Sequence, residues 1–484
     1  MRVLPADYIV MVFYMVIVIA LGVYVSNQGG NFENILLAGR KVGLYGLAAS
    51  FIATEWGPVG MYFKMDAGSP FMLSQLYPAW AIFGAFLVVG FLGLSTVLPR
   101  RTKIMTAGEI LGLRYGKAAR VIFGILMTVS YILLLGMLLN VSSAMFAVFL
   151  GTSPGFMMIL MVLVTAIYTV SGGMWSIVLT NYIHVAVIGI MVPVSALFSV
   201  RAAGGFEHLF AELSDAAAKA APAADSFALD TGFGSVFVKF LLFLCIALCF
   251  PTVYSRTFSA KSASTAYKGF IVGAVALLGC AVFSIVIAAA STVVSPNAAG
   301  ATAFARTIVA STPNGLIGLM CASAMGVFMS ACSSYYLAVG RMFSKDIMEQ
   351  VLPGYKKLDD SASIHLLRTG IVLSAVFSLL IGFNARSLGA VFEAAAVVAA
   401  SGGAACILFG LYWRRAGALG AIGSFASGGL YYIVSAFGFH SGYNLTYFGT
   451  ILASFLAMIL FSLMPRRRKT GKKSAKSSDL RTSK

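Results

Sequence analysis

The chain has 484 residues, of which 60% are hydrophobic and only 10% charged, with a formal net charge of +18 and a mean hydropathy of +0.92. Soluble domains carry about a quarter charged residues, so this composition excludes a soluble domain with one apolar core. Apolar runs long enough to cross roughly 30 Å of hydrocarbon as a helix recur from end to end. The sequence therefore predicts an all-α polytopic membrane protein.

In chain order the apolar runs predict about thirteen transmembrane helices, at 6–26, 43–65, 74–98, 118–150, 155–172, 175–200, 234–255, 268–295, 314–343, 364–383, 387–411, 415–437 and 445–464. The first run lacks a small-residue cleavage site, which favours a retained helix over a signal peptide. Two segments between spans also have helical patterns. Residues 106–121 are typical of a short helix on the membrane surface, and the insertion 201–233 is typical of an amphipathic helix followed by a loop.

The positive charge lies mostly in alternate loops. With an outer N-terminus, the inner loops hold the basic residues Arg40, Lys41, Arg100, Arg101, Lys103, Arg114, Arg256, Lys261, Lys345 and Arg414 together with the tail. The positive-inside rule then fixes the orientation, with a cytoplasmic C-terminus. The basic tail, residues 466–484, is typical of a solvated anchor near anionic lipid rather than a nucleic-acid site. Residues 1–465 form one transmembrane domain on this interpretation, in the inner membrane of a bacterium.

Two of the predicted helices contain a break. "FIATEWGPVGMYFK" (51–64) is interrupted at Gly57-Pro58, and "VKFLLFLCIALCFPTVYSR" (238–256) is interrupted at Pro251, five spans later. Broken helices expose unpaired backbone groups, which are tolerated in a membrane only where they line a cavity or are buried in protein. Their corresponding positions indicate an inverted-repeat transporter with its site at the breaks. Ordinary proline kinks are the alternative for either helix alone.

Glu55 lies immediately before the first break. A carboxylate in the membrane interior costs roughly 2.5–3.5 kcal/mol on insertion scales, so it pairs, binds a cation or stays protonated. Glu55 is accordingly a candidate for ion coupling, and the alternative is a protonated glutamate hydrogen-bonded to neighbouring backbone. His184 is interpreted as a packed helix residue rather than a proton relay. The four histidines are scattered and the six cysteines lie inside predicted helices, so no enzymatic constellation, disulfide, cofactor or metal other than sodium is expected.

Several stretches together resemble one family. They are "DYIVMVFYMVIVIALGVY" (7–24), "ILLAGRKVG" (35–43), "TAGEILGLRYG" (106–116), "SGGMWSIVLTNYIH" (171–184), "SRTFSAKSASTA" (255–266) and "MSACSSYYLAVGRMFSKDI" (329–347). Their order resembles the sodium:solute symporters, the family of the bacterial proline and pantothenate permeases and the sodium–glucose cotransporters. The resemblance covers residues 5 to about 465. It implies a leucine-transporter-type core of two inverted five-helix repeats, roughly 43–411, with one helix before it and two after.

The resemblance also implies a sodium site between the first broken helix and the ninth span. Its positions in this sequence are Ala53, Trp56, Val327, Ser330 and Ala331. Backbone carbonyls at Ala53, Trp56 and Val327 do not depend on the side chain, and Ser330 keeps a hydroxyl. The sequence departs from the family at two places.

Both departures affect sodium coupling. Ala331 stands where the family usually has Ser or Thr, and Asn181 stands where the family has an aspartate that is thought to help sodium leave inward. Each departure removes an oxygen or a charge that a dehydrated sodium ion favours. A proton-coupled or uncoupled facilitative carrier on the same fold therefore stays open beside the sodium symporter.

The resemblance also implies substrate contacts, because substrates of this family touch both broken helices. The candidates beside the two breaks are Gly57, Met61, Phe243, Ala247, Phe250 and Pro251. This mostly apolar lining lacks the Asn and Gln cluster of sugar transporters, which favours a small organic acid, an amino acid or a related solute. Lys239 and Glu393 lie near the outer ends of their helices, where they either snorkel to the interface or pair as an outer gate.

The sequence thus predicts a secondary active transporter whose partners are a small-molecule solute and the lipid bilayer. No nucleic acid and no obligate protein partner is expected. A membrane sensory module is the less favoured alternative, because about twenty residues follow the last span, too few for a kinase.

Overall fold

A computed structural model describes residues 4–26, 32–56, 84, 88, 104–220, 232–298, 300–352, 360–384 and 389–464. The described chain is almost entirely helical. Its first helices are α1 (Pro5–Ser26), α2 (Phe32–Leu37), α3 (Leu44–Trp56), α4 (Ala107–Tyr115), α5 (Lys117–Leu150), α6 (Pro154–Ala202), α7 (Phe206–Ala220), α8 (Gly232–Cys249) and α9 (Pro251–Ser259). The remaining helices are α10 (Ala263–Val294), α11 (Gly300–Ser311), α12 (Ile317–Arg341), α13 (Asp360–Phe383), α14 (Gly389–Tyr412), α15 (Ala418–Ile433) and α16 (Tyr443–Leu463).

Membrane-spanning helices make up most of the described chain. By length and composition, nine helices of the described residues can cross a membrane, or up to ten if the bent pair α8 and α9 forms one span. Each predicted span apart from 74–98 has a described helix at its place, and 74–98 lies almost wholly outside the described residues. The prediction of a polytopic all-α membrane protein is confirmed.

Helix α6 corresponds to two predicted spans. Its 49 residues would extend about 73 Å at 1.5 Å per residue, more than twice the hydrocarbon thickness. Gly173 interrupts it with φ 56° and ψ −143°, a conformation that a residue with a Cβ rarely adopts. The chain bends there, so that the predicted spans 155–172 and 175–200 are separate helices.

Helix α12 lies at the centre of the bundle. It packs against α1, α3, α5, α6 and α13, and 94% of its most apolar window is buried inside the protein. The helix is rich in Ala, Ser, Gly and Cys, and small residues let membrane helices approach closely without a hydrophobic driving force between them. The residues of the predicted sodium site on this helix are therefore enclosed by protein rather than lipid.

The two segments between spans differ in how well they were predicted. The region 106–121 is not one helix: α4 ends at Tyr115 and α5 begins at Lys117, because Gly116 has φ 91°. The side chains of Thr106 and Glu109 form a capping box that fixes the start of α4. In the insertion, α7 buries Leu209 and exposes Glu207, His208 and Glu212, the pattern of an amphipathic helix.

Candidate cation and solute site

The second broken helix is the most clearly defined part of the site. Helix α8 ends at Cys249, α9 begins at Pro251, and the two halves are bent by 49° about Phe250. The Tyr254 hydroxyl donates to the Leu248 carbonyl at 2.7 Å, and the Thr252 N–H donates to the Tyr131 hydroxyl at 3.4 Å. Backbone groups that lose their helical partners at the break are thus satisfied by tyrosine hydroxyls. The predicted break at Pro251 is confirmed.

Aromatic side chains pack around this break. The Tyr131 ring lies 5.1 Å from that of Phe250 and 5.0 Å from that of Tyr335, between ring centroids. Among the solute candidates, Ala247, Phe250 and Pro251 are buried here, and Phe243 is half-buried on the same helix. Gly57 and Met61, the candidates from the first broken helix, lie outside the described residues, because α3 is described only to Trp56.

Glu55 forms an ion pair with Arg256 that the sequence does not predict. Its carboxylate oxygen Oε1 lies 3.6 Å from Arg256 Nη1, and both residues are buried. Oε1 has no hydrogen-bond partner among the described residues, so the contact is electrostatic rather than a formed hydrogen bond. Among the described residues this oxygen accepts no backbone hydrogen bond, and the protonated, backbone-bonded glutamate stays the alternative interpretation.

Arg256 connects the two broken helices. Its guanidinium donates to the carbonyl and the hydroxyl of Ser50 in α3, at 3.1 and 3.2 Å, and to the Thr252 carbonyl in α9 at 3.1 Å. The assignment of Arg256 to an inner loop is wrong, because α9 continues to Ser259 and all of its residues are buried. An arginine that follows a helix break within two turns was the available signal for a pairing with Glu55.

Three hydroxyl groups meet where α3 contacts α12. The Thr54 Oγ1 lies 3.2 Å from Ser330 Oγ and 2.9 Å from Ser334 Oγ, and the cluster is buried. Ala53, Val327 and Ala331, three further positions of the predicted sodium site, are fully buried in the same two helices. The backbone of Trp56 ends α3. Thr54 and Ser334 were missed from the sequence, although Ser334 follows Ser330 by four residues and so shares its helix face.

Helix α6 supplies two buried polar residues. Asn181 is fully buried, and neither of its side-chain polar atoms has a hydrogen-bond partner among the described residues. The His184 Nδ1 shares a hydrogen bond with the Tyr14 hydroxyl of α1 at 2.5 Å. This contact agrees with the interpretation of His184 as a packed helix residue. Asn181 therefore stays a candidate for ion coupling with an unused amide.

The structure describes the side chain of only one of the two predicted outer-gate residues. Lys239 is half-buried on α8, and α8 packs against α14, which carries Glu393. The Glu393 side chain lies outside the described part of the chain. Its pairing with Lys239 stays a prediction.

A bundle of membrane helices around a broken helix, with an ion pair and buried hydroxyls beside the break, defines an inverted-repeat secondary transporter. Solved structures have the same fold. An outward-open, substrate-bound Na+-coupled sialic acid symporter superimposes with a TM-score of 0.81 at 16% identity, covering 95% of this chain and 98% of its own. MhsT in complex with L-phenylalanine gives 0.55 at 15% identity, covering 87% and 98%.

The family follows from the sequence comparison. The model of the sodium:solute symporter family matches residues 35–428, and the chain belongs to that family. Its family and structural neighbours are transporters and not enzymes, and sodium-coupled solute uptake is the activity of the family.

Curated relatives are similar at modest identity. The Escherichia coli sodium/pantothenate symporter is 26% identical over 491 residues, covering 94% of this chain and 95% of its own. The Haemophilus influenzae sodium/pantothenate symporter is 24% identical over 437 residues, covering 86% and 84%. The Danio rerio sodium/glucose cotransporter 4 is 23% identical over 392 residues, and the match spans 72% of this chain but 58% of that protein.

Proposed function

We propose that this protein uses the sodium gradient to take up a small organic solute across a bacterial inner membrane, with sodium bound between α3 and α12. The cluster of Thr54, Ser330 and Ser334 hydroxyls carries the proposal. Sodium, like other hard cations, is bound by oxygen ligands, and these oxygens lie beside the predicted carbonyl positions. The N-terminus is outside and the C-terminus is cytoplasmic in this proposal.

The hydroxyl cluster offsets the departure at Ala331. The family position lacks its hydroxyl in this chain, but Thr54 and Ser334 supply two others within hydrogen-bond distance of each other. In the absence of an ion the three hydroxyls satisfy one another, so the site has no buried unpaired oxygen among them. A sodium ion entering the cluster would exchange these hydrogen bonds for coordination, with the carbonyls of Ala53, Trp56 and Val327 as further ligands.

Glu55 provides the negative charge near this site. Its contact with Arg256 is longer than a hydrogen bond, at 3.6 Å, while Arg256 is anchored independently by Ser50 and Thr252. A cation at the end of α3 therefore competes with a loosely paired guanidinium for the same carboxylate. Through this competition, cation occupancy is coupled to the packing of α3 against α9.

The solute is proposed to be a small organic acid or amino acid with an apolar part. Tyr131, Phe250 and Tyr335 offer apolar surface and aromatic faces at the break, and the Thr252 hydroxyl lies beside them. Two of the relatives with nearly full-length matches are sodium/pantothenate symporters, which makes pantothenate the first compound to test.

Uptake into proteoliposomes tests the proposal. Purified protein is supplied with labelled pantothenate, amino acids, small organic acids and glucose, under an inward sodium gradient or an equal gradient of choline. We expect concentrative uptake of at least one acid only with sodium. Equal uptake in both gradients would reject sodium coupling, and dependence on an imposed pH gradient would favour the proton-coupled alternative.

A further inference from the structure

A second buried arginine lies at the end of the central helix. Arg341 is the last residue of α12 and is 2% exposed. Its Nη1 donates to the Ser255 hydroxyl of α9 at 2.5 Å, and its Nη2 donates to the Leu36 carbonyl of α2 at 2.6 Å. One guanidinium therefore connects the sodium-site helix to the end of the second broken helix and to the segment that precedes the first.

Arg341 makes these contacts without a carboxylate partner. Among the described residues no acidic oxygen lies within ion-pair distance of it, and its Nε has no hydrogen-bond partner. Asp346, the acidic residue one turn further on, is held by Arg120 at 3.0 Å and by the Thr106 hydroxyl at 2.7 Å. A buried cation with neutral partners forfeits much of its hydration energy. The two hydrogen bonds offset part of this cost, and water that reaches the guanidinium would favour its release.

The segment held by Arg341 is strained. Ala38 and Arg40, just after Leu36, have φ of 51° and 56°, a left-handed conformation that costs energy in residues with a Cβ. The next residues are paired with the end of α9: the Val42 N–H donates to the Ser259 carbonyl at 3.0 Å, and the Lys261 N–H donates to the Val42 carbonyl at 2.9 Å. The start of α3 and the end of α9 thus form one joined unit at this end of the bundle.

We propose that Arg341 is a latch that closes the inner end of the transport path by holding this joined unit against α12. The proposal rests on the alternating-access uptake proposed above. Arg341 acts as a positioning residue: its two hydrogen bonds hold α2 and α9 in the closed arrangement, and hydration of its guanidinium stabilises the released one. The equilibrium between the two arrangements then depends on the contacts of Arg341.

Hydrogen–deuterium exchange of the purified full-length protein in lipid nanodiscs tests the latch without substrate. In Arg341→Ala we expect amide exchange in residues 36–42 and 255–261 to rise by about tenfold, the effect of losing hydrogen bonds to a charged group. Exchange in α15 and α16 and the thermal midpoint should stay unchanged. Ser255→Ala should give a smaller rise, and Arg341→Lys, which retains a charged donor, should restore part of the protection.

The double variant and a matched control separate the latch from a general packing role. Arg341→Ala combined with Ser255→Ala should exchange no faster than Arg341→Ala alone, because both changes remove the same contact. Arg114→Ala is the control: Arg114 also donates to two carbonyls, those of Trp413 and Arg414, but contacts neither α9 nor α2 through them. It should leave residues 36–42 unaffected.

Three results would overturn the proposal: unchanged exchange at 36–42 in Arg341→Ala, a uniform rise throughout the protein, or additive effects in the double variant. If Arg341→Ala does not fold, Ser255→Ala decides, and unchanged exchange there rejects the latch. In proteoliposomes, Arg341→Ala should raise the external sodium concentration for half-maximal uptake with little change in maximal rate. Failure of sodium-driven uptake in the wild type would reject the proposed function, while the exchange data would still report on the latch.

Discussion

Replacing Thr54 with valine removes one oxygen from the proposed sodium site and keeps the shape of the side chain. The lost hydroxyl makes contacts of 3.2 and 2.9 Å with Ser330 and Ser334. Interactions of a hydroxyl with a charged group are worth roughly 1.5–3 kcal/mol. The dissociation constant for sodium should therefore rise by roughly 10- to 150-fold in Thr54→Val.

Equilibrium binding of radioactive sodium to the purified protein measures this change without knowledge of the solute. Thr169→Val is the matched control, because Thr169 is equally buried but its hydroxyl donates only to the Thr165 carbonyl of its own helix at 2.6 Å. The control should bind sodium as the wild type does. Equal affinities in Thr54→Val, Thr169→Val and the wild type would show that the ion binds elsewhere, and the reasoning from the hydroxyl cluster would fail.

Three other predictions concern the ion, the carboxylate and the topology. Ser330→Ala should raise the sodium concentration needed for uptake, whereas Ala331→Ser should lower it; an unchanged sodium response in both variants would remove sodium from this site. Glu55→Gln should retain solute exchange but lose accumulation against a gradient, and uphill uptake at wild-type rates from about pH 6 to 8 would make the carboxylate structural. Reporter fusions after Arg201 and after Arg466 should lie on opposite sides of the membrane, since a shared side would contradict the thirteen-span topology.

The parts of the fold that depend on local sequence were predictable. Hydropathy located the spans, because each helix must satisfy its own backbone in lipid. Pro251 predicted the break between α8 and α9, since proline lacks the N–H that a continuous helix requires. The spans 155–172 and 175–200 were predicted as separate, and Gly173 takes the positive φ that separates them.

Contacts between distant residues were not predictable in the same way. Glu55 was recognised as unusual, but its partner Arg256 follows 201 positions later (256 minus 55) and was assigned to a loop by a rule that counts charges and ignores depth. The contacts of Arg341 were not predictable either. Its hydrogen-bond acceptors are a backbone carbonyl and a serine hydroxyl, which have no distinctive sequence pattern. The contact of Thr54 with Ser330 and Ser334 depends on which face of α3 is turned towards α12, and hydropathy does not indicate that orientation.

The hydrogen bond across the bend of the second broken helix limits how this element can move. Tyr254 belongs to α9, and its hydroxyl holds the Leu248 carbonyl of α8 at 2.7 Å, while Tyr131 of α5 binds Thr252 just beyond Phe250. Further bending at Phe250 that breaks the Tyr254 hydrogen bond would leave the Leu248 carbonyl unpaired in a dry interior, at a cost of about 1–3 kcal/mol. The elbow is thus a rigid joint, and the two half-helices should travel as one body. The flexing needed to open one side or the other then falls on the connection at the far end of α9, where Ser259 leads into α10.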